Sequence, residues 1–382
     1  MTGILTEEQS LIQKTARDFA RDRVAPGALT REAAGRIEDA LIREMAELGF
    51  LGMTVPEDQG GIGADYVSYA LALMEIAAGD GAVSTMMSVH NAPFCAILSR
   101  FASDAQQERW LTPAAAGAFI GAFALTEPHT GSDAAAITCS ATRTDTGYVL
   151  NGSKQFITSA QIAGGVIAFA VTDHNAGKKG ISAFYIEPGT PGFSVGAPEK
   201  KLGQKASDTC TLSFDNLEVP AFNRIGEEGQ GLAIALSSLE TGRIGIASQS
   251  VGMAQAALDA AVAYAQDRVA FGKPIAQHQA VAFRLADMDM QVEAARQLVL
   301  SAARLKDSGA PCLREASIAK LFASQMAERV VSDAIQTLGG YGYLADFPVE
   351  KIYRDVRVCQ IYEGTSDVQR INISRALLAG RS

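Results

Sequence analysis

Neither a C-x-x-C pair nor an H-E-x-x-H occurs in this sequence; its five cysteines (Cys95, Cys139, Cys210, Cys312, Cys359) are odd in number and widely spaced, and its four histidines lie far apart. That argues against a disulfide framework, a zinc site and metal catalysis, and leaves reduced, mostly buried thiols as the expectation. Positive charge is also short: 33 Lys and Arg against 42 Asp and Glu give a net charge of -9, which repels nucleic acid and leaves any anionic ligand dependent on a local basic site. No uncharged apolar run reaches the roughly 18 residues that span a bilayer, and the N-terminus carries no basic segment followed by an apolar one. A soluble cytoplasmic protein, with no membrane insertion and no nucleic-acid partner, is expected.

What is present points to a packed, multidomain chain. The 382 residues divide by about 150 into two to three domains, and 48% hydrophobic with 20% charged residues is ordinary globular composition. Thr6-Glu7-Glu8-Gln9 reads as a capping box opening a helix with Leu11, Ile12, Ala16 and Phe19 inward. Helical periodicity continues to about residue 117, interrupted by Gly60-Gly61-Ile62-Gly63, which lacks the third glycine and the βαβ surroundings of a dinucleotide fingerprint. From 118 to 226 the runs are short and rich in β-formers, with Asn151-Gly152 as a hairpin signal, which predicts an antiparallel barrel or sandwich. From 227 to 382 long helical patterns return, near 230 to 268, 275 to 307, 313 to 338 and 349 to 361, as in an antiparallel bundle.

Three segments carry candidate chemistry. TEPHTGSD at 126 to 133 clusters hydroxyls, small residues and two carboxylates; composition alone favours reading it as a polar turn. QFITSA at 155 to 160 places an aromatic and two hydroxyls on a strand. In YRDVRVCQIYEGTSDVQR at 353 to 370 a charged helix stops at Gly364 and Thr365-Ser366-Asp367 caps the next, so Glu363 sits at a break, where it is either a surface charge or a carboxylate projecting into a cavity.

In this order and spacing these segments, with GRIGIASQ at 242 to 249, DRVAFGKPI at 267 to 275 and LGGYGYL at 338 to 344, resemble the acyl-CoA dehydrogenase family of flavoproteins over essentially the whole chain. The resemblance implies a mixed α and β fold: an N-terminal helical domain (1–117), a central antiparallel β-domain (118–226) and a C-terminal four-helix bundle (227–382), assembled as a homotetramer with FAD near a subunit interface. By matching position, Phe123, Leu125, Thr126, Gly131, Ser132, Phe156 and Thr158 would line the flavin ring. Arg268, Phe271, Gln336, Gly339 and Gly340 would hold the adenosine diphosphate half of an FAD bound mainly to the neighbouring subunit, and Thr365 and Asp367 would add cofactor contacts.

The family reaction is α,β-dehydrogenation of an acyl-CoA, with electrons passed to an electron-transfer flavoprotein. The resemblance makes Glu363 its base, with Ser132, Glu240, Arg243 and Gly364 touching substrate. Some members carry the base immediately before an Arg on the first bundle helix; here that position is Gly242, which has no acid to offer. Short-chain members, straight or branched, are the most similar, so a short acyl-CoA is the expected substrate. Two other readings remain: an oxidase on the same scaffold, and a non-catalytic flavin or acyl-carrier binding protein. Phe156 stands where many members have Trp, His129-Thr130 where small residues are commoner, and Asp367 where Glu or Gln is usual.

Overall fold

A computed structural model describes residues 5–380. The first helix, Glu7–Phe19, opens on the expected capping box: the Gln9 N–H donates to Thr6 Oγ1 and the Thr6 N–H to Gln9 Oε1, each at 3.1 Å. Ala16 and Phe19 are buried and Ile12 packs beside them, but Leu11 is 65% exposed, because it lies about 100° round the helix from the stripe at 12, 16 and 19. Helices Tyr66–Gly79 and Gly81–Val89 follow, buried on nearly every side against the rest of the molecule. The glycine-rich stretch 60–63 is a loop that pairs back onto 52–55 through backbone hydrogen bonds, with no strand beside it.

The middle of the chain forms one eight-stranded sheet: β1 Ile120–Ala124, β2 Ser140–Arg143, β3 Gly147–Thr158, β4 Ala163–Val171, β5 Ile181–Ile186, β6 Phe193–Val195, β7 Thr209–Pro220 and β8 Arg224–Ile225. Its order is β6-β7-β3-β2-β4-β5-β8, with β1 beside β4. Two expectations need correction. The sheet is mixed, since β1 runs parallel to β4 and β2 touches β4 in parallel register; the intervening chain 125–162 is long enough to cross over, which a tight hairpin could not do. Asn151-Gly152 is no hairpin turn. Both residues lie inside the continuous strand β3, where the register to β7 shifts and Gly152 takes φ 141 beneath the Cys139 backbone. Glycine there relieves a bulge and a close approach, the other use of a strand glycine.

Five helices, Gly231–Asp267, Gln279–Asp307, Leu313–Leu338, Pro348–Val356 and Ser366–Leu378, make up the C-terminal part, and the first three pack on one another and on Tyr66–Gly79 around an Ala- and Val-rich core. Among the described residues no helix is long and apolar enough to cross a membrane. A buried ionic cluster ties the parts together. Asp80 accepts from Arg31 at 2.9 Å and from Lys351 at 3.0 Å, Lys351 also donates to Asp355 at 2.6 Å, and the other Asp355 oxygen takes the Gln204 N–H. Removing one member leaves opposite charges buried without their partner, so Asp80→Ala is expected to lower stability by about 3 kcal/mol, seen as an earlier urea midpoint; an unchanged midpoint contradicts that role.

Candidate active site

Glu363 follows the short 3-10 turn Arg357–Gln360 and precedes the helix Ser366–Leu378, whose N-cap is Thr365. Two successive residues take left-handed backbone angles there, Glu363 at φ 54 and Gly364 at φ 84. Glycine adopts that conformation freely; a glutamate does so only when its surroundings hold it. The Gly364 carbonyl accepts from Lys320 Nζ at 2.7 Å and from Gln369 Nε2 at 2.8 Å, and Gln369 also reaches the Glu363 carbonyl at 3.3 Å.

The residue as a whole is half-buried, but its Oε2 is sealed from water and has no hydrogen-bond partner. A Cβ placed on Gly242 would lie 2.5 Å from that oxygen, so the carboxylate occupies space that only a glycine on the helix Gly231–Asp267 leaves open. Burial pushes the Glu363 carboxyl up to about 7, against the pull of the positive charges of Arg243 and Lys320. Arg243 is itself buried, with Nε and Nη1 unpartnered. A carboxylate in this setting is a far stronger base than one in water, because solvation no longer stabilises its charge.

Of the other expected substrate contacts, Glu240 is engaged by Lys306 Nζ at 3.0 Å and the Cys312 thiol at 3.2 Å. Ser132 is exposed in the 126–133 segment. Asp367, expected as a cofactor contact, points to solvent in an ion pair with Arg370 at 2.8 Å.

The segment 126–133 is anchored, not loose. Glu127 and Thr130 pair through two backbone hydrogen bonds, and the buried Glu127 carboxylate accepts from the Thr138 and Cys139 N–H groups and from Lys154 Nζ at 2.7 Å. Gln155 N–H donates to the Thr126 carbonyl at 2.8 Å, placing the 126–133 turn against β3. Thr126 and Gly131 are neighbours, and Ser132 and Phe156 face outward, Phe156 63% exposed at φ 59 with Thr158 two residues on. Leu125 is buried and Phe123 leans edge-on to Phe169, both packed in the core at and just after β1.

Arg268, Gly339 and Gly340 meet elsewhere, around a cavity of about 490 Å³ shared with Tyr264, Ile275, Thr337, Leu338, Tyr341 and Leu344. Ideal Cβ positions on both glycines face open space, and the Arg268 guanidinium lies over the Tyr341 ring. Phe271, 95% exposed, tops the hairpin Val269–Ala270/Lys273–Pro274, and Gln336 is exposed beside the cavity. One patch offers hydroxyls, backbone and an aromatic face; the other offers open glycine backbone and a basic charge. The first suits the ring system of a flavin adenine dinucleotide in its chemistry, and the second suits an adenosine diphosphate part.

Sequence reasoning missed Lys320, Gln369 and the Glu127–Lys154 pair. The signal for Lys320 was its flanking by Ala316, Ser317, Ala323 and Ser324, all buried one turn away.

Comparison with known proteins bears on the whole chain. The descriptions "Acyl-CoA dehydrogenase, N-terminal domain", "middle domain" and "C-terminal domain" match residues 6–118, 122–217 and 229–378. A Bacillus subtilis (strain 168) protein named acyl-CoA dehydrogenase is 48% identical over 376 residues, covering 98% of this chain and 99% of its own. The short-chain specific acyl-CoA dehydrogenase, mitochondrial, of Bos taurus is 44% identical over 374 residues, 98% of this chain and 91% of its own. Among solved structures, butyryl-CoA dehydrogenase from Megasphaera elsdenii matches with a TM-score of 0.97 at 44% identity, covering 99% of this chain and 100% of that one. A chain from work on the electron transferring flavoprotein of Acidaminococcus fermentans matches with a TM-score of 0.98 at 43% identity, covering 100% of both. The mitochondrial name, carried also by the Homo sapiens relative, overturns the expectation of a cytoplasmic protein.

Proposed function

We propose, from the premise that the chain belongs to the acyl-CoA dehydrogenase family, that its substrates are short acyl-CoA thioesters and that Glu363 is the base. As a member it is an FAD-dependent oxidoreductase acting on the CH–CH bond next to an acyl-CoA thioester, with electron-transfer flavoprotein as electron acceptor. The observation that carries the assignment of the base is the sealed, unpartnered Glu363 Oε2 facing Gly242.

In this reading Glu363 takes the α-proton. The negative charge that develops on the thioester oxygen meets the Glu363 backbone N–H, which donates to no other group among the described residues. Arg243, buried with free donors, adds positive potential to the pocket and orients the bound thioester end. Ser132, Glu240 and Gly364 stay in the reading as further substrate contacts, with Glu240 Oε1 already taken by Lys306 and Cys312. Thr126, Gly131, Ser132, Phe156 and Thr158, with Phe123 and Leu125, would hold the flavin ring. Arg268, Phe271, Gln336, Gly339 and Gly340 would hold the adenosine diphosphate part of a second copy's cofactor, with Thr365 and Asp367 at the helix end beside the base. FAD supplies the two-electron acceptor for the β-hydrogen.

Exposed Phe271, Phe283, Met290 and Tyr343 give the bundle apolar surface that assembly would cover, in line with a homotetramer that completes the cofactor site between subunits. The divisions at 117/118 and 226/227 belong to the same reading. Preference for a four-carbon chain is supported by the butyryl and short-chain names of the relatives, and it has a direct test. Anaerobic mixing of the yellow protein with butyryl-, isobutyryl-, isovaleryl-, 2-methylbutyryl- and octanoyl-CoA is expected to bleach the flavin fastest with a short thioester. Fastest bleaching by octanoyl-CoA rejects the short-chain assignment, and bleaching by none rejects the substrate class.

A further inference from the structure

Lys320 is buried to 0% exposure in the middle of the helix Leu313–Leu338, and among the described residues its ammonium donates only to the Gly364 carbonyl. No carboxylate pairs with it at salt-bridge distance among the described residues. An ammonium with no carboxylate in hydrogen-bonding reach is costly to bury, and a methionine would fill the same space without that cost. Gln369, also fully buried, donates to the same carbonyl from the helix Ser366–Leu378. Two buried donors therefore converge on one backbone oxygen, directly after the residue whose φ of 54 needs outside support.

We propose that Lys320 and Gln369 are positioning residues that clamp the Gly364 carbonyl and so hold Glu363 in its left-handed conformation with the carboxylate against Gly242. The proposal rests on the reading of Glu363 as the base. Lys320 has a second effect that Gln369 lacks, since its charge faces the Glu363 carboxyl. The other ionisable groups around that carboxyl are Arg243 on the helix Gly231–Asp267 and Tyr69 on Tyr66–Gly79; Cys359, on the turn Arg357–Gln360, lies against Lys320. Burial and the neighbouring Arg243 charge bring the Lys320 ammonium down to about 8, against the opposing pull of Cys359 and Glu363, so it remains largely protonated at neutral pH.

The two residues therefore separate clamp from charge. Lys320→Met is expected to lower kcat for anaerobic flavin reduction about 10- to 100-fold with KM little changed, and to move the acid limb of kcat/KM upward by about one pH unit as a positive neighbour is lost. Gln369→Leu is expected to lower kcat about tenfold and leave the acid limb in place. FAD content and melting temperature, followed in parallel, show whether each variant is folded. A mere strut between helices would lower the melting temperature and leave kcat and the limb as in wild type, and that result overturns the proposal. Should Lys320→Met not fold, Gln369→Leu decides: wild-type kcat in that variant overturns the clamp. Glu363→Gln, run alongside, keeps the two readings apart. If it retains wild-type reduction, the base assignment fails; if it is inactive while both clamp variants behave as wild type, only the clamp fails.

Discussion

Glu363→Gln leaves the protein yellow and able to bind an acyl-CoA, yet its flavin is expected to bleach about 10³-fold more slowly than wild type, within the usual range for losing a positioned general base. The amide keeps the size of the side chain and most of its contacts, so binding survives while proton abstraction does not. A second signature follows from burial. The folded-state value of about 7 lies above the usual 4.5, so ionising Glu363 opposes folding: stability is full below about 4.5, is lost progressively as pH rises to about 7, and the penalty is constant above that. The Gln variant should therefore be more stable than wild type at pH 8 and gain little near pH 4.5, measured as urea midpoints at the two pH values. Wild-type bleaching in this variant would assign the proton abstraction to another group.

Gly242→Ala is expected to reduce kcat about 10²-fold without replacing any group that takes part in chemistry. Its new Cβ would fall 2.5 Å from Glu363 Oε2 and 3.1 Å from the carboxyl carbon, well inside contact distance. Something must shift, and the helix backbone at 242 is held by its neighbours, so the carboxylate moves. A displaced base still carries its charge, which separates this variant from Glu363→Gln. FAD occupancy stays, the protein folds, and the loss appears in the reduction step measured by stopped-flow absorbance. A rate equal to wild type would mean that the carboxylate turns away from Gly242 before it reacts.

Much of this architecture is legible in the residues. Helical elements follow from the 3.6 period and from caps whose chemistry is local, such as Thr6 with Gln9 and Thr365 at the head of Ser366–Leu378. Strand pairing is not local, so neither the parallel partnership of β1 with β4 nor the passage of β3 through Asn151-Gly152 could be read from neighbours in sequence. Glu363 alone, as a residue type at a helix break, carried no more weight than a surface charge; its place in IYEGTSDVQR gave it meaning, and burial gave it chemistry. Lys154 and Lys320 were invisible for a related reason. A lysine in a strand or helix pattern reads as a solvent-facing position, whereas these two are completely buried, one on the Glu127 carboxylate and the other on the Gly364 carbonyl. Both are held in place by contacts from residues distant in the chain.

The dependence of kcat/KM on pH tests the central claim most directly, because it reports the ionisation of the free enzyme's essential base. With butyryl-CoA, and the flavin signal as readout, kcat/KM is expected to rise with pH and level off above an apparent value near 7, as Glu363 loses its proton. A profile that is flat from pH 5.5 to 8.5, or that falls across that range, would contradict a buried Glu363 as the group that starts the reaction.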